Sequence, residues 1–177
     1  ERWRKIIAFD YGHHHPSAFI FAAVDQQGRL SIVSEYERAG LEPPEHIHFL
    51  KKCEIESGID HLDARCVADW NLSSPIRTKS GDLVKDEYKK LGWRFVPAIK
   101  TFRAIMRIKE FFRIDPVLGP MIRIHKRCRR LLNQLFRAAW DEKRPEHVRV
   151  FPGKDDLFDA FEFTVMEAPR PRTHVDV

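Results

Sequence analysis

The chain has 177 residues and a mass of 20.9 kDa, enough for one domain with a sizeable core. Its 43% hydrophobic and 32% charged residues exclude a disordered polymer, and no apolar run approaches the roughly 18–20 residues of a membrane span. Three widely spaced cysteines, Cys53, Cys66 and Cys128, exclude a disulfide framework or a CxxC metal knuckle and suit a reducing cytosol; the charged opening Glu1-Arg2-Trp3-Arg4-Lys5 leads straight into an apolar run, so no signal peptide is expected.

Lys5-Ile6-Ile7-Ala8-Phe9-Asp10 reads as a buried strand ending in an acid, followed by Tyr11-Gly12. Residues 17–24 and 30–37 read as two further strands joined by the turn Asp25-Gln26-Gln27-Gly28, an antiparallel hairpin. Pro43-Pro44 opens a helix that Gly58 closes. Residues 64–69 form another short strand ending in an acid, Asp69. A polar loop follows over 71–81, then a helix over 82–91 closed by Gly92. Residues 93–99 read as a strand, and Thr101 caps a helix carrying Phe102, Ile105, Met106, Ile108 and Phe112. Asp115-Pro116 stops it, Gly119-Pro120 marks a turn, and residues 121–124 form a brief strand.

The next helix has Cys128, Leu131, Leu132, Leu135, Phe136, Ala139 and Trp140 at three- and four-residue spacing, with Lys126, Arg127, Arg129, Arg130, Gln134 and Arg137 on its other face. A Val148-Arg149-Val150 strand precedes a final helix opened by Asp155 or Asp156. The order implies an α/β fold in which a mixed sheet, three antiparallel strands and then parallel ones, is flanked by helices. Residues 1–168 are expected to form one domain and 169–177 a disordered tail.

The whole chain carries +5, with an isoelectric point of about 9.2. Residues 94–130 hold eleven Lys/Arg against Glu110 and Asp115, a net +9 that leaves the rest of the chain at −4. A basic segment on an acidic chain suits a polyanion such as DNA, although two solvated Arg-rich helix faces would look the same. Lys100, Arg103, Arg107, Arg123, Lys126, Arg127, Arg129 and Arg130 are the candidates for phosphate contacts, which position a duplex without reading its sequence.

Three acidic positions stand out. Asp10 and Asp69 end strands, and Asp155, Asp156 and Asp159 crowd the start of the last helix. If the first and fourth strands are adjacent and parallel, Asp10 and Asp69 share one sheet edge, where ligand sites of open α/β sheets lie. Gathered carboxylates repel one another unless cations neutralise them, and hard oxygen ligands suit Mg²⁺ or Mn²⁺. Two such ions roughly 3.5–4 Å apart hydrolyse phosphodiesters. Each acid alone also suits a turn or a helix cap, and Asp155 is expected to cap in part. His13-His14-His15 follows Asp10 but is a poorer match to Mg²⁺ than oxygen, and Glu35 is read as structural.

Phe9-Asp10-Tyr11-Gly12 with Pro16-Ser17-Ala18, Ile32-Val33-Ser34-Glu35-Tyr36, Cys66-Val67-Ala68-Asp69, Phe95-Val96-Pro97-Ala98-Ile99-Lys100, the helix over 122–141, and Lys154-Asp155-Asp156-Leu157-Phe158-Asp159-Ala160 occur in order at compatible distances. Together they resemble the C-terminal nuclease domain of the large terminase subunit of tailed bacteriophages, which has a ribonuclease H-like fold. The resemblance implies a metal-dependent endonuclease with Asp10, Asp69 and Asp156 as catalytic metal-binding acids. It makes Asp155 a further ligand, and Asp159 either a ligand or a structural hydrogen-bonding group. It also implies two Mg²⁺ or Mn²⁺ ions, one serving the attacking water and one the leaving 3′ oxygen.

The implied substrate is concatemeric viral double-stranded DNA, cut with little sequence specificity during genome packaging. The implied partners are a packaging ATPase domain, a small terminase subunit and the portal, in the cytoplasm of an infected bacterium and at no membrane. No GxxxxGK[ST] loop occurs, so the ATPase motor is absent from these residues, and Trp70 after Asp69 departs from the smaller or turn-forming residue of many relatives. Ser73, Ser74, Arg77 and Lys79 of the following loop suit either phosphate contact or a plain surface loop. The alternatives are another ribonuclease H-like enzyme, a junction resolvase or transposase-like protein, and a DNA-binding packaging module without catalysis.

Overall fold

The computed structural model describes residues 3–12, 15–69, 78–79, 81–99, 101, 103–141, 144–150 and 155–171. His13, His14, Trp70, Ser73, Ser74, Arg77, Lys100 and Lys154, and the end of the expected tail after Pro171, lie outside these residues. Strands β1 (Arg4–Asp10), β2 (Ser17–Val24) and β3 (Leu30–Arg38) form an antiparallel meander, as their apolar runs predict. Asp25 holds the β2–β3 turn. Its carboxylate accepts the backbone N–H groups of Gln27 and Arg29, and Gly28 takes φ 80°.

One irregularity in β3 governs the site. Ala22 pairs with Ile32 but Phe21 pairs with Ser34, so Val33 is an extra residue on β3. A one-residue bulge exchanges the two faces of the strand beyond it. Leu30 and Ile32 therefore face one side of the sheet, and beyond the bulge Glu35 and Glu37 take over that side while Tyr36 joins the other.

Helix α1 (Pro43–Ser57) has a capping box between Glu42 and Glu45 and ends at Gly58, φ 69°. It leads to β4 (Arg65–Ala68), which lies parallel to β1. Helix α2 (Val84–Lys90) precedes β5 (Val96–Pro97), parallel to β4. Of the expected strand over 93–99, Val96 and Pro97 pair with β4, and the Ala98 N–H donates to the Ala68 carbonyl at 2.7 Å. Trp93 is turned into the core instead, and Pro97, which has no N–H, is accommodated on the edge strand of the sheet.

Helix α3 (Arg103–Phe112) starts where the Thr101 hydroxyl accepts the Arg103 N–H. The expected stop and turn after it are a small hairpin, β6 (Ile114–Asp115) with β7 (Gly119–Pro120), closed by the buried Asp115 carboxylate on the N–H groups of Val117 and Leu118. Strand β8 (Ile122–Ile124) joins β3 in parallel. Helix α4 (Arg129–Arg137) is shorter than its periodicity suggests. At Ala138 the backbone turns extended and enters β9 (Ala138–Asp141), which pairs with β10 (Arg144–Val150). Helix α5 (Asp156–Glu167) follows.

The main sheet has the order β5-β4-β1-β2-β3-β8. Every strand except β2 runs the same way, so the C-terminal ends of β1, β3 and β4 share one rim, while β8, paired with Leu30–Ile32, ends partway along β3. One face packs aromatic residues under α1 and α2, with Phe9 stacked on Phe19 at 4.0 Å and Tyr88 and Trp93 closing around them. The other face packs Ile6, Ala18, Ile20 and Ala22 against Leu157, Phe158, Ala160 and Phe161 of α5. Small alanines on β2 let this helix lie close to the sheet.

Helix α5 runs antiparallel to β1. Glu167 at its end is clamped by Arg4 and Arg65 at 2.8 and 2.7 Å, at the starts of β1 and β4, and Phe163 packs on Ala8 and Val67 midway. From Glu167 back to Asp156 the helix rises roughly 16 Å, and β1 rises roughly 20 Å from Arg4 to Asp10. Asp156 therefore arrives at the same rim as Asp10.

Candidate active site

Phe9 pairs with Ala68, and the Asp69 N–H donates to the Phe9 carbonyl at 3.1 Å, extending the parallel ladder one residue beyond β4. Asp10 and Asp69 are thus lateral neighbours on strands about 4.8 Å apart. They follow the alternation of Ala8 and Val67, which places both on the α5 face. Asp69 is buried and Asp10 half-buried. The chain leaves Asp10 through a tight corner at Gly12, where a Cβ would collide with the carbonyl oxygens of His15 and Pro16. Behind this pair stands the aromatic layer anchored by Phe9 and Phe19, so the acids rest on a packed support.

Asp156 is the first residue of α5 and is buried at the rim. Burial pushes its carboxyl up to about 6, and the Glu37 carboxylate adds to this. The helix's own N–H pulls the other way, the Asp155 carboxylate raises it again, and His15 lowers it. Asp155 holds the N-cap position but makes no side-chain capping bond, contrary to the expectation that it caps in part. It is exposed, and Asp159 lies half-buried one turn into the helix. The fold therefore brings Asp10, Asp69 and Asp156 to one rim on one face, with Asp155 and Asp159 on the same first turn as Asp156.

Two residues at this rim go unassigned by sequence reasoning. Glu37 pairs with Ala18, which pairs with Asp10, so Glu37 stands two strands from Asp10 with only an alanine between them. Gln134 is buried rather than on the polar face of its helix. Its amide nitrogen donates to Glu37 Oε1 at 3.1 Å, and its amide oxygen accepts the Phe158 N–H at 2.8 Å. Glu35 is structural, as expected. Its carboxylate accepts the N–H groups of Arg130 and Leu131, both at 2.9 Å, and so caps α4 from the neighbouring strand.

The basic residues divide. Arg103, Arg123, Lys126 and Arg129 are exposed and make no ion pair among the described residues. The chain leaves β8 at Ile124, level with Ile32 partway along β3, and comes up to the acidic rim only in the first turn of α4, where Glu35 accepts the Arg130 N–H. Arg127 reaches His125 and the Glu56 carbonyl, and Arg130 donates to the Glu37 carbonyl at 2.7 Å. Arg107 lies apart from this set. It donates to the Ala168 carbonyl at 2.9 Å and lies beside Glu110 and over Phe111, so it ties α3 to the end of α5.

Two other features lie away from the rim. Glu54, Asp60 and His61 converge before the start of β4, the opposite end of that strand from Asp69. His61 Nδ1 and Glu54 Oε1 are 2.6 Å apart, a hydrogen bond with no room for an ion between the atoms, and the ring stacks on Trp93 at 4.4 Å. A cavity of about 420 Å³ lined by Trp3, Lys5, Val33, Ile59 and Asp63 lies at the start of β1, on the α1 side.

No family profile and no curated protein matches the chain. Solved structures do. The nuclease domain of the phage P22 large terminase superposes with TM-score 0.71 at 14% identity, over 96% of this chain and 84% of that one. The large terminase nuclease of the thermophilic phage G20c, solved with bound zinc, gives 0.56 at 17% identity, over 94% and 82%. The large terminase of a second thermophilic bacteriophage, in complex with ATP-γ-S, gives 0.67 at 16% identity, over 93% of this chain and 40% of that one, so the chain spans well under half of that protein. The mixed sheet with its flanking helices is the ribonuclease H-like fold of large-terminase nuclease domains.

Proposed function

We propose that this chain is a divalent-metal-dependent endodeoxyribonuclease that cuts double-stranded viral DNA during genome packaging. The observation that carries the reading is the convergence of Asp10, Asp69 and Asp156 on one face at one rim, within a fold shared with terminase nucleases. The donor set fits a hard cation: all three side chains offer carboxylate oxygen, and the raised Asp156 carboxyl marks negative charge that a cation would relieve. Asp10, Asp69 and Asp156 would hold Mg²⁺ or Mn²⁺, in two sites, with Asp155 within reach as a further ligand and Asp159 as a ligand or support. Such ions, when bound, activate water and neutralise the leaving oxygen of a phosphodiester.

The protein's own part is positional. The aromatic layer beneath Phe9 fixes the strand ends, and α5 delivers Asp156 at a set height. Arg103, Arg123, Lys126 and Arg129, with Arg127 and Arg130 beside them and Lys100 outside the described residues, would track the phosphates. These contacts are sequence-independent, which matches a cut with little sequence preference. Residues 1–168 form the nuclease unit in this reading. It works beside a packaging ATPase domain, a small terminase subunit and the portal, in the cytoplasm of an infected bacterium.

The test is plasmid cleavage with Mn²⁺ or Mg²⁺ by wild type and by Asp10→Asn, Asp69→Asn and Asp156→Asn. Each variant should fold, bind DNA and fail to cut. If all three still cut, the site is misassigned. A wild type that binds duplex but never cuts would make the chain a DNA-binding packaging module, and strong preference for four-way junctions would make it a resolvase.

A further inference from the structure

We propose that Gln134 is a positioning residue for Asp156, bridging the first turn of α5 to Glu37 on β3; this rests on the nuclease reading above. The first N–H groups of a helix have no partner within it, and the N-cap residue Asp155 makes no side-chain bond to them. Gln134 does so from another helix, its amide oxygen accepting the N–H of Phe158, two residues beyond Asp156. Its amide nitrogen is committed to Glu37 at the same time.

Both ends of this bridge are themselves fixed. The Arg130 guanidinium holds the backbone carbonyl of Glu37 at 2.7 Å, and Glu35 caps α4 through the Arg130 and Leu131 N–H groups. The bulge at Val33 is what turns Glu35 and Glu37 toward α4 and α5. The height of Asp156 against the β1–β4 edge is thus referred to β3 through one buried amide. Glutamine suits the position because it donates and accepts at once. Methionine of similar length does neither, and glutamate would set a carboxylate against Glu37.

Mn²⁺ binding without DNA, followed by the loss of the free-ion electron paramagnetic resonance signal, tests this alongside thermal melting. Gln134→Met should raise the half-saturating Mn²⁺ roughly 10- to 100-fold, the range typical when a group orienting a metal ligand is lost. Glu37→Gln keeps a carbonyl oxygen for the Gln134 amide, whereas Glu37→Met does not, and both remove the same charge. Glu37→Met should therefore weaken Mn²⁺ binding much more than Glu37→Gln, and this pair decides the matter if Gln134→Met does not fold. A Gln134→Met protein that melts earlier but binds Mn²⁺ like wild type, or equal effects of the two Glu37 variants, would overturn the proposal. Asp156→Asn in the same assay separates the two readings. If it binds Mn²⁺ normally, the nuclease site falls and the positioning role with it; if it alone is impaired, only the positioning role falls.

Discussion

Asp156→Asn should stabilise the metal-free protein while abolishing its cutting. In the folded chain the Asp156 carboxyl titrates at about 6 against an ordinary 3.8, because burial and the nearby Glu37 disfavour its charge. The native state therefore keeps a proton that the unfolded chain has released. Below about pH 4 the residue costs nothing; stability falls as pH rises through the window from 3.8 to about 6, and the full cost persists above it. A shift of about two units corresponds to ~3 kcal/mol, and solvent at the open rim reduces this to ~1–2 kcal/mol. For a chain of this size that is roughly 2–8 °C in melting temperature. The assay is thermal or urea unfolding in EDTA at pH 4 and pH 8. The asparagine variant should gain nothing at pH 4 and about 1–2 kcal/mol at pH 8. An equal gain at both pH values, or a less stable variant at pH 8, would refute the electrostatic argument.

Glu35→Ala leaves the first N–H groups of α4 without their acceptor and should cost ~1–2 kcal/mol in urea unfolding at pH 7. Gly12→Ala forces apart the corner after Asp10, so it should lower cutting while leaving the melting transition cooperative. Alanine at Arg123, Lys126 or Arg129 should each reduce the slope of log affinity for duplex DNA against log salt by about 1, without altering sequence preference. Arg107→Ala should leave that slope unchanged and destabilise the fold instead, because its guanidinium is committed to α5.

The acids were legible because each ends or begins an element. A short apolar strand followed by Asp is readable at Asp10 and Asp69, and the crowding of Asp155, Asp156 and Asp159 marks the start of α5. Residues whose direction depends on tertiary geometry were not legible. In β3 alternate residues are buried from Leu30 to Tyr36, a pattern that reads as one regular strand. Only pairing with β2 reveals that Val33 is supernumerary and that Glu37 lies on the α5 face of the sheet. Gln134 sits among arginines on the helical wheel and looks solvated, yet the approach of α5 covers it. The apolar spacing that extended α4 to Trp140 continued into β9, where a strand partner outside the helix captures the backbone from Ala138 onward. Arg107 counted with the basic segment because nothing in local sequence announces the carbonyl of Ala168, 61 residues away.

A crystal structure of the protein soaked in Mn²⁺ tests the central claim most directly. Ions bound at the rim by Asp10, Asp69 and Asp156 are the predicted result. Ions found only at Glu54, Asp60 and His61, with the three aspartates holding none, would contradict it.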